Sequence, residues 1–215
     1  MRLRNVKDAK ERIDEAKKLI IDIPRNEKYP LDQVFKNDKP LEIEIGAGKG
    51  QFSHTLAARQ KTTNHIAIEK FDSVIIRALE KLQDEPLDNL FLARCDAEQL
   101  SDFFMPNTVN KIYLNFSDPW PKARHEKRRL THENFLKQYE DILKEDGVIE
   151  FKTDNRKLFE FSLVSMNQYG MIFDQISLDL HAADDEDNIV TEFEERFSKH
   201  GPIYKLVARF KRGGN

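Results

Sequence analysis

From Leu41 to the C-terminus, short β-rich runs alternate with amphipathic helical stretches, and no other feature of the sequence narrows the fold as much. LEIEI (41–45) runs into GAGKG (46–50) and a helical stretch to about Arg59, and HIAIE (65–69) follows. Phe71, Ile75, Ala78, Leu79 and Leu82 then recur at helical spacing, with Asp72 or Ser73 placed to cap the N-terminus. LFLARC (90–95), KIYLNF (111–116) and VIEFKT (148–153) are three further strand-like runs. Between the last two, Phe135, Leu136, Tyr139, Ile142 and Leu143 mark a helix with Gly147 expected as its C′ residue. A helix over Leu158–Tyr169 and two closing strands, MIFDQISLDL (171–180) and IYKLVARF (203–210), complete the pattern. Successive βα units need right-handed crossovers. The expectation is an α/β fold: a mostly parallel seven-stranded sheet with an antiparallel edge strand and helices on both faces.

The residues ahead of this pattern read differently. Ala9, Ile13, Ala16 and Ile20 fall at helical spacing among charges and predict a short amphipathic helix that stops before Pro24. Arg2, Arg4, Lys7, Lys10 and Arg12 make its surroundings basic, and a solvated face explains them better than phosphate contact does. The three prolines of residues 24–40 read as a linker. The expected division is a basic helix and linker over 1–39 and one domain over 40–215, which suits a chain of 215 residues.

Composition enters through what it excludes. No apolar run approaches the roughly 18 residues of a membrane span, and nothing resembles a secretory leader, so the expected location is cytoplasmic. One cysteine, Cys95, rules out an intrachain disulfide or a cysteine-based zinc cluster. The six histidines show no metal-ligand spacing, and no metal is expected. A net charge of −3 speaks against a general DNA-coating protein. The positive charge is local, with five Lys/Arg against one Glu in residues 122–129, while 184–187 (DDED) reads as a mobile polar loop rather than a metal site.

That basic cluster closes LNFSDPWPKARHEKRR (114–129). Pro119 and Pro121 fix two φ angles and remove two N–H donors, so neither helix nor central strand can pass through them. A stiff loop then holds Asp118 and Trp120 beside Lys122, Arg124, Lys127, Arg128 and Arg129, a combination suited to chemistry on a nucleic acid. Trp120 is placed either to stack on a base or to fill the core.

Three strand ends offer groups for a nucleoside ligand. Glu44-Ile-Gly46-Ala-Gly48-Lys-Gly50 ends the first strand and opens a helix, where glycines permit a sharp turn and close approach. Its spacing is neither that of a P-loop nor G-x-G-x-x-G. Glu69, 21 residues beyond Gly48, suits the two hydroxyls of a ribose. Asp96 can accept from an adenine amino group, cap the helix that follows, or do both.

Together these features resemble the class I S-adenosylmethionine-dependent methyltransferases, whose fold is Rossmann-like. Asp118-Pro-Trp-Pro-Lys122 with its basic run, FKTDN (151–155) and TEFEERF (191–197) are similar to the bacterial tRNA (guanine-N(7)-)-methyltransferase family over roughly residues 40–210. The resemblance implies S-adenosyl-L-methionine as cofactor, tRNA as partner, and 7-methylguanosine in the variable loop as product. It implies that Glu44, Gly46, Gly48, Glu69, Asp96 and Asp118 form the cofactor site, with Asp118 also catalytic. It implies further that Lys122, Asp154, Thr191, Glu192, Phe193 and Glu194 contact the substrate, and that Arg124, Lys127, Arg128 and Arg129 dock RNA. Neither DNA nor a membrane is expected as partner, and the expected state is a monomer or homodimer.

The chemistry agrees with this reading. N(7) of guanine carries a lone pair and no proton, so attack on a sulfonium methyl needs alignment rather than a base. Alignment can supply ~7–11 kcal/mol at most. The product ring is cationic, which makes Asp118 sensible as an orienting and electrostatic residue. Glu194 or Asp154 could accept guanine's adjacent N–H donors, a discrimination of ~1–3 kcal/mol. Cytosine carbon methylation would need a nucleophilic cysteine in the loop, and Cys95 lies outside it. The rivals are an exocyclic-amino methyltransferase, a dinucleotide-binding oxidoreductase, which leaves the Pro-Trp loop unexplained, and a non-catalytic RNA-binding module.

Overall fold

The structure is a computed structural model that describes residues 6, 8–22, 34–183, 185 and 187–212. Arg2, Arg4, Lys7, Pro24, Pro30, Asp184 and Glu186, which figured in the sequence reading, lie outside the described residues. The strands are β1 (Ile20–Asp22), β2 (Leu41–Ile45), β3 (Asn64–Glu69), β4 (Leu90–Arg94), β5 (Val109–Asn115), β6 (Leu143–Thr153), β7 (Ile172–Ser177) and β8 (Tyr204–Arg209). The α-helices are α1 (Ala9–Glu15), α2 (Gln51–Arg59), α3 (Asp72–Asp84), α4 (Leu100–Phe103), α5 (Glu133–Ile142), α6 (Arg156–Tyr169) and α7 (Glu192–Phe197). The sheet order is β1-β4-β3-β2-β5-β6-β8-β7.

β1 to β6 pair in parallel, whereas β8 runs antiparallel to both β6 and β7. The sheet therefore has eight strands among the described residues rather than seven, and its antiparallel strand sits one place in from the edge. The additional strand comes from the N-terminal segment. The helix expected to reach Ile20 ends at Glu15, and Ile20 pairs with Leu92. Ile20 and Ile21 belong to hydrophobic clusters on opposite sheet faces, the alternation a strand imposes. The helical spacing of Ile20 from Ala16 was a coincidence of two elements.

One face of the sheet is covered by α4, α5 and α6, with Phe103, Leu136, Tyr139, Leu158 and Phe159 against Ile43, Ile112 and Phe151. On the other, α1 and α3 pack on β3 and β4, while Phe52 and Leu56 of α2 meet Tyr113 and Ile189. The central strands are buried on both sides, which is why they read as near-continuous apolar runs.

Two capping expectations are corrected. The N-cap of α3 is Phe71, with extended backbone and no side-chain cap bond, because the Asp72 carboxylate pairs with Arg94 at 2.9 Å. Gly147 does not end α5, which stops at Ile142; the glycine lies within β6. A Cβ there would come within 2.9 Å of Leu143 Cδ2 and 3.0 Å of the Lys144 carbonyl, so close backbone approach explains it.

Candidate active site

The carboxyl ends of β4, β3, β2 and β5 lie side by side, so the loops following them share one edge of the sheet. This is where open α/β sheets bind ligands. After β2 the chain turns through Gly46, Gly48 and Gly50, with φ of 77°, 60° and 75°, a region that side chains rarely tolerate. The Gly46 and Ala47 N–H groups both donate to the Ile68 carbonyl at 2.9 Å, which anchors the turn to β3. A Cβ on Gly46 or Gly48 would meet nothing within 4 Å, so these glycines face open space. Gly50 differs: its Cβ would lie 2.7 Å from that of Ala78, so it lets α2 and α3 touch.

Glu44 forms the floor. It is buried, accepts from Ser53 Oγ at 2.5 Å and from Asn115 Nδ2 at 3.0 Å, and burial pushes its pKa up to about 7. Bonds from Asn115 and Ser53 and the charge of Lys152 oppose that rise. Glu69 is also buried and its pKa is raised by desolvation. Its carboxylate collects the N–H groups of Gly48 (3.2 Å), Lys70 (2.8 Å) and Phe71 (3.0 Å), and so fixes the glycine turn directly. Asp96 caps a short 3₁₀ turn by accepting from Glu98 N at 3.1 Å, and its other oxygen lies 3.4 Å from Lys70 Nζ. The cap expected of it is present.

Beyond β5, Phe116 and Trp120 adopt positive φ, 50° and 40°, and turn the chain across the same edge. Asp118 is exposed there. Trp120 is half-buried, with His125 edge-on at 5.7 Å and Arg128 over its ring at 4.9 Å, so the basic run itself holds the indole. Lys122, Arg124, Lys127 and Arg128 are exposed and can meet phosphates. Arg129 is otherwise engaged. It donates to the carbonyls of Pro119 (3.2 Å) and Trp120 (3.1 Å) and lies over Phe161, so it braces the loop rather than facing RNA.

The TEFE segment divides in the same way. Thr191 and Glu194 form a capping box that starts α7. Glu194 is wholly buried, and both its oxygens are taken, by Asn188 (2.7 Å) and His181 (3.1 Å) on one and by Lys152 (3.0 Å) on the other. It therefore has no free edge to offer a guanine, and the expectation that it reads the base is withdrawn. Thr191 is buried too, so its expected contact with substrate is replaced by the cap. Phe193 and Glu192 are exposed, and Asp154 is exposed beyond β6. Phe193 stacks on Phe197 (4.2 Å) and meets Phe116 at a tilt (4.9 Å), and Glu192 accepts from Lys49 of the glycine turn at 2.8 Å. Thus α7 leans on both the glycine turn and the loop carrying Asp118.

A methyltransferase family model matches residues 38–206. A tRNA (guanine-N(7)-)-methyltransferase of Lactiplantibacillus plantarum is 52% identical over 211 residues, 98% of this chain and 99% of its own length. One of Bacillus cytotoxicus is 49% identical over 212 residues, 98% of each chain. The chain belongs to the tRNA (guanine-N(7)-)-methyltransferase family. Among solved structures, an antibiotic-related methyltransferase matches with a TM-score of 0.62 at 18% identity, covering 80% of this chain and 88% of that one. The 16S rRNA methyltransferase KamB matches with a TM-score of 0.62 at 11% identity, covering 81% and 89%. At such identity these two speak for the class I methyltransferase fold alone.

Ser53, Asn115 and Lys152 surround Glu44 without being among the expected site residues. Lys152 left a trace: a lysine inside a central apolar strand needs a partner. Nothing in one sequence says that the partner is 42 residues away. Among the described residues no helix is long and apolar enough to span a membrane, and no cluster of three or more His, Cys, Asp or Glu is arranged for a metal.

Proposed function

We propose that this enzyme transfers a methyl group from S-adenosyl-L-methionine to N(7) of a guanosine in the variable loop of tRNA, forming 7-methylguanosine. The observation that carries the reading is the meeting of Glu44, the glycine turn, Glu69, Asp96 and Asp118 at one sheet edge. The relatives' identities of 52% and 49% along the whole chain support the substrate.

The residues fit the cofactor: Gly46 and Gly48 front open space, and the buried Asn115 Oδ1 beside Glu44 has no partner among the described residues. When bound, S-adenosyl-L-methionine supplies an electrophilic methyl group on a sulfonium. Glu69 would hold the ribose hydroxyls and Asp96 the adenine amino group, while Glu44 and Asn115 would receive the ammonium end. Asp118 orients the guanine and stabilises the positive charge its ring acquires, which needs no proton transfer before attack. Asp154, exposed at the end of β6, is the carboxylate left to meet guanine's N–H edge. Lys122, Arg124, Lys127 and Arg128 hold the RNA backbone.

The test is incubation with labelled S-adenosyl-L-methionine and unmodified tRNA, followed by nucleoside mapping. Label is expected at one variable-loop guanosine as 7-methylguanosine. Label on an exocyclic amino group, such as N(6)-methyladenosine, or no transfer at all, overturns the proposal.

A further inference from the structure

We infer that Lys152 is a positioning residue for both reactants: it sets the substrate-facing segment 188–194 through Glu194, and it steadies Glu44 at the floor of the cofactor crevice. The inference rests on the methyl-transfer reading above.

Lys152 lies near the end of β6 and is wholly buried. An ammonium has three protons to give, and this one gives all three: to Asn188 Oδ1 (3.0 Å), the Ile189 carbonyl (2.9 Å) and Glu194 Oε2 (3.0 Å). Asn188 and Ile189 belong to the stretch that leads into α7, and Glu194 to its first turn. Holding them fixes where α7 begins, and with it the contacts of Phe193 with Phe116 and of Glu192 with Lys49. Stability alone does not account for the pair, since well-packed apolar side chains commonly serve as well as a buried ion pair. What an apolar pair lacks is the set of directed donors that holds one geometry.

The other side of Lys152 faces the cofactor floor. Its Nζ lies 5.3 Å from the ring centre of Phe52, whose neighbour Ser53 donates to Glu44. Its pairing partner on β5 is Asn115, which also donates to Glu44. The groups facing Glu44 are Ser53 from α2, Tyr113 and Asn115 from β5, and Lys152 from β6. Lys152 is the cation among them, and it favours the ionised Glu44 that a cationic ligand needs.

The test uses the full chain with the double substitution Lys152→Met/Glu194→Met, which removes both charges together. Lys152→Met alone strands a buried carboxylate and serves as the control for misfolding. Binding of S-adenosylhomocysteine is measured against pH, and steady-state transfer to tRNA is measured beside it. In the double variant the pH at which S-adenosylhomocysteine begins to bind well is expected to rise by about one unit. The KM for tRNA is expected to rise about tenfold. A circular dichroism spectrum matching wild type shows that the fold is retained. A folded double variant with the wild-type binding profile and the wild-type KM would overturn the inference. The binding arm contains no tRNA, so it judges Lys152 even if the RNA assignment fails, whereas failure of the wild-type chain to methylate tRNA strikes the assignment alone.

Discussion

The two walls of the crevice are built on opposite principles. On the wall proposed for the cofactor, Glu44 and Glu69 are buried and each carboxylate is already held by donors of the protein. On the wall proposed for the substrate, Asp118, Asp154, Lys122, Arg124, Lys127 and Arg128 are exposed. A small ligand of fixed shape can be met by groups set in advance, at the cost of burying acids. A folded RNA brings its own rigidity and phosphates, so long cationic side chains can stay in water until it arrives. The buried Glu194 and the braced Arg129 then support the substrate wall from behind.

The largest effect expected from that contrast lies at Asp118. Asp118→Ala should lower turnover by about 100-fold or more, with tRNA affinity by filter binding close to wild type. A variant that turned over normally would show that the exposed acid does no chemistry.

Next comes the pH behaviour of Glu44, whose pKa rises from 4.5 to about 7 in the folded chain. The folded state thus holds that proton more tightly than the unfolded one. Its stabilisation is full below the ordinary value and is lost as pH climbs through about 7. Glu44→Gln should therefore make the ligand-free chain more stable than wild type at pH 8, by on the order of 2–3 kcal/mol, and no more stable at pH 4. Urea titrations at the two pH values check this. The same variant should weaken S-adenosylhomocysteine binding, and an unchanged affinity would remove Glu44 from the cofactor wall.

A smaller effect separates the two adjacent arginines. Arg128→Glu should weaken tRNA binding and reduce the salt slope by roughly one for each phosphate that is no longer neutralised. Arg129→Ala should leave the slope alone and lower turnover by loosening the loop around Trp120. Equal salt slopes for the two variants would erase the distinction between docking and bracing. The smallest effect is expected where the walls touch through solvent. Lys49 and Glu192 are both about half exposed, so Lys49→Ala should cost less than about 1 kcal/mol of stability by thermal denaturation.

The parallel strands and the glycine turn were legible because strand-length apolar runs and positive-φ glycines leave local marks. So was the Pro-Trp loop, since two prolines forbid regular structure whatever surrounds them. Glu69 and Asp96 could be placed at strand ends from the run lengths alone. Less was legible where a residue's role depends on a distant partner. Ile20 counted as helical until β4 supplied a strand to pair with. Asp72 counted as a cap until Arg94 claimed it. Glu194 counted as a base reader, since one sequence does not reveal that Lys152 lies beneath it.

The sequence by itself determined the order of strands and helices and the chemical character of each loop, because periodicity, φ preference and charge are properties of neighbouring residues. Tertiary structure decided which acids stay free for ligands and which are spent inside the protein. That choice turns on distance and desolvation between residues far apart in the chain, as between Lys152 and Glu194, and such distances exist only once the sheet has formed.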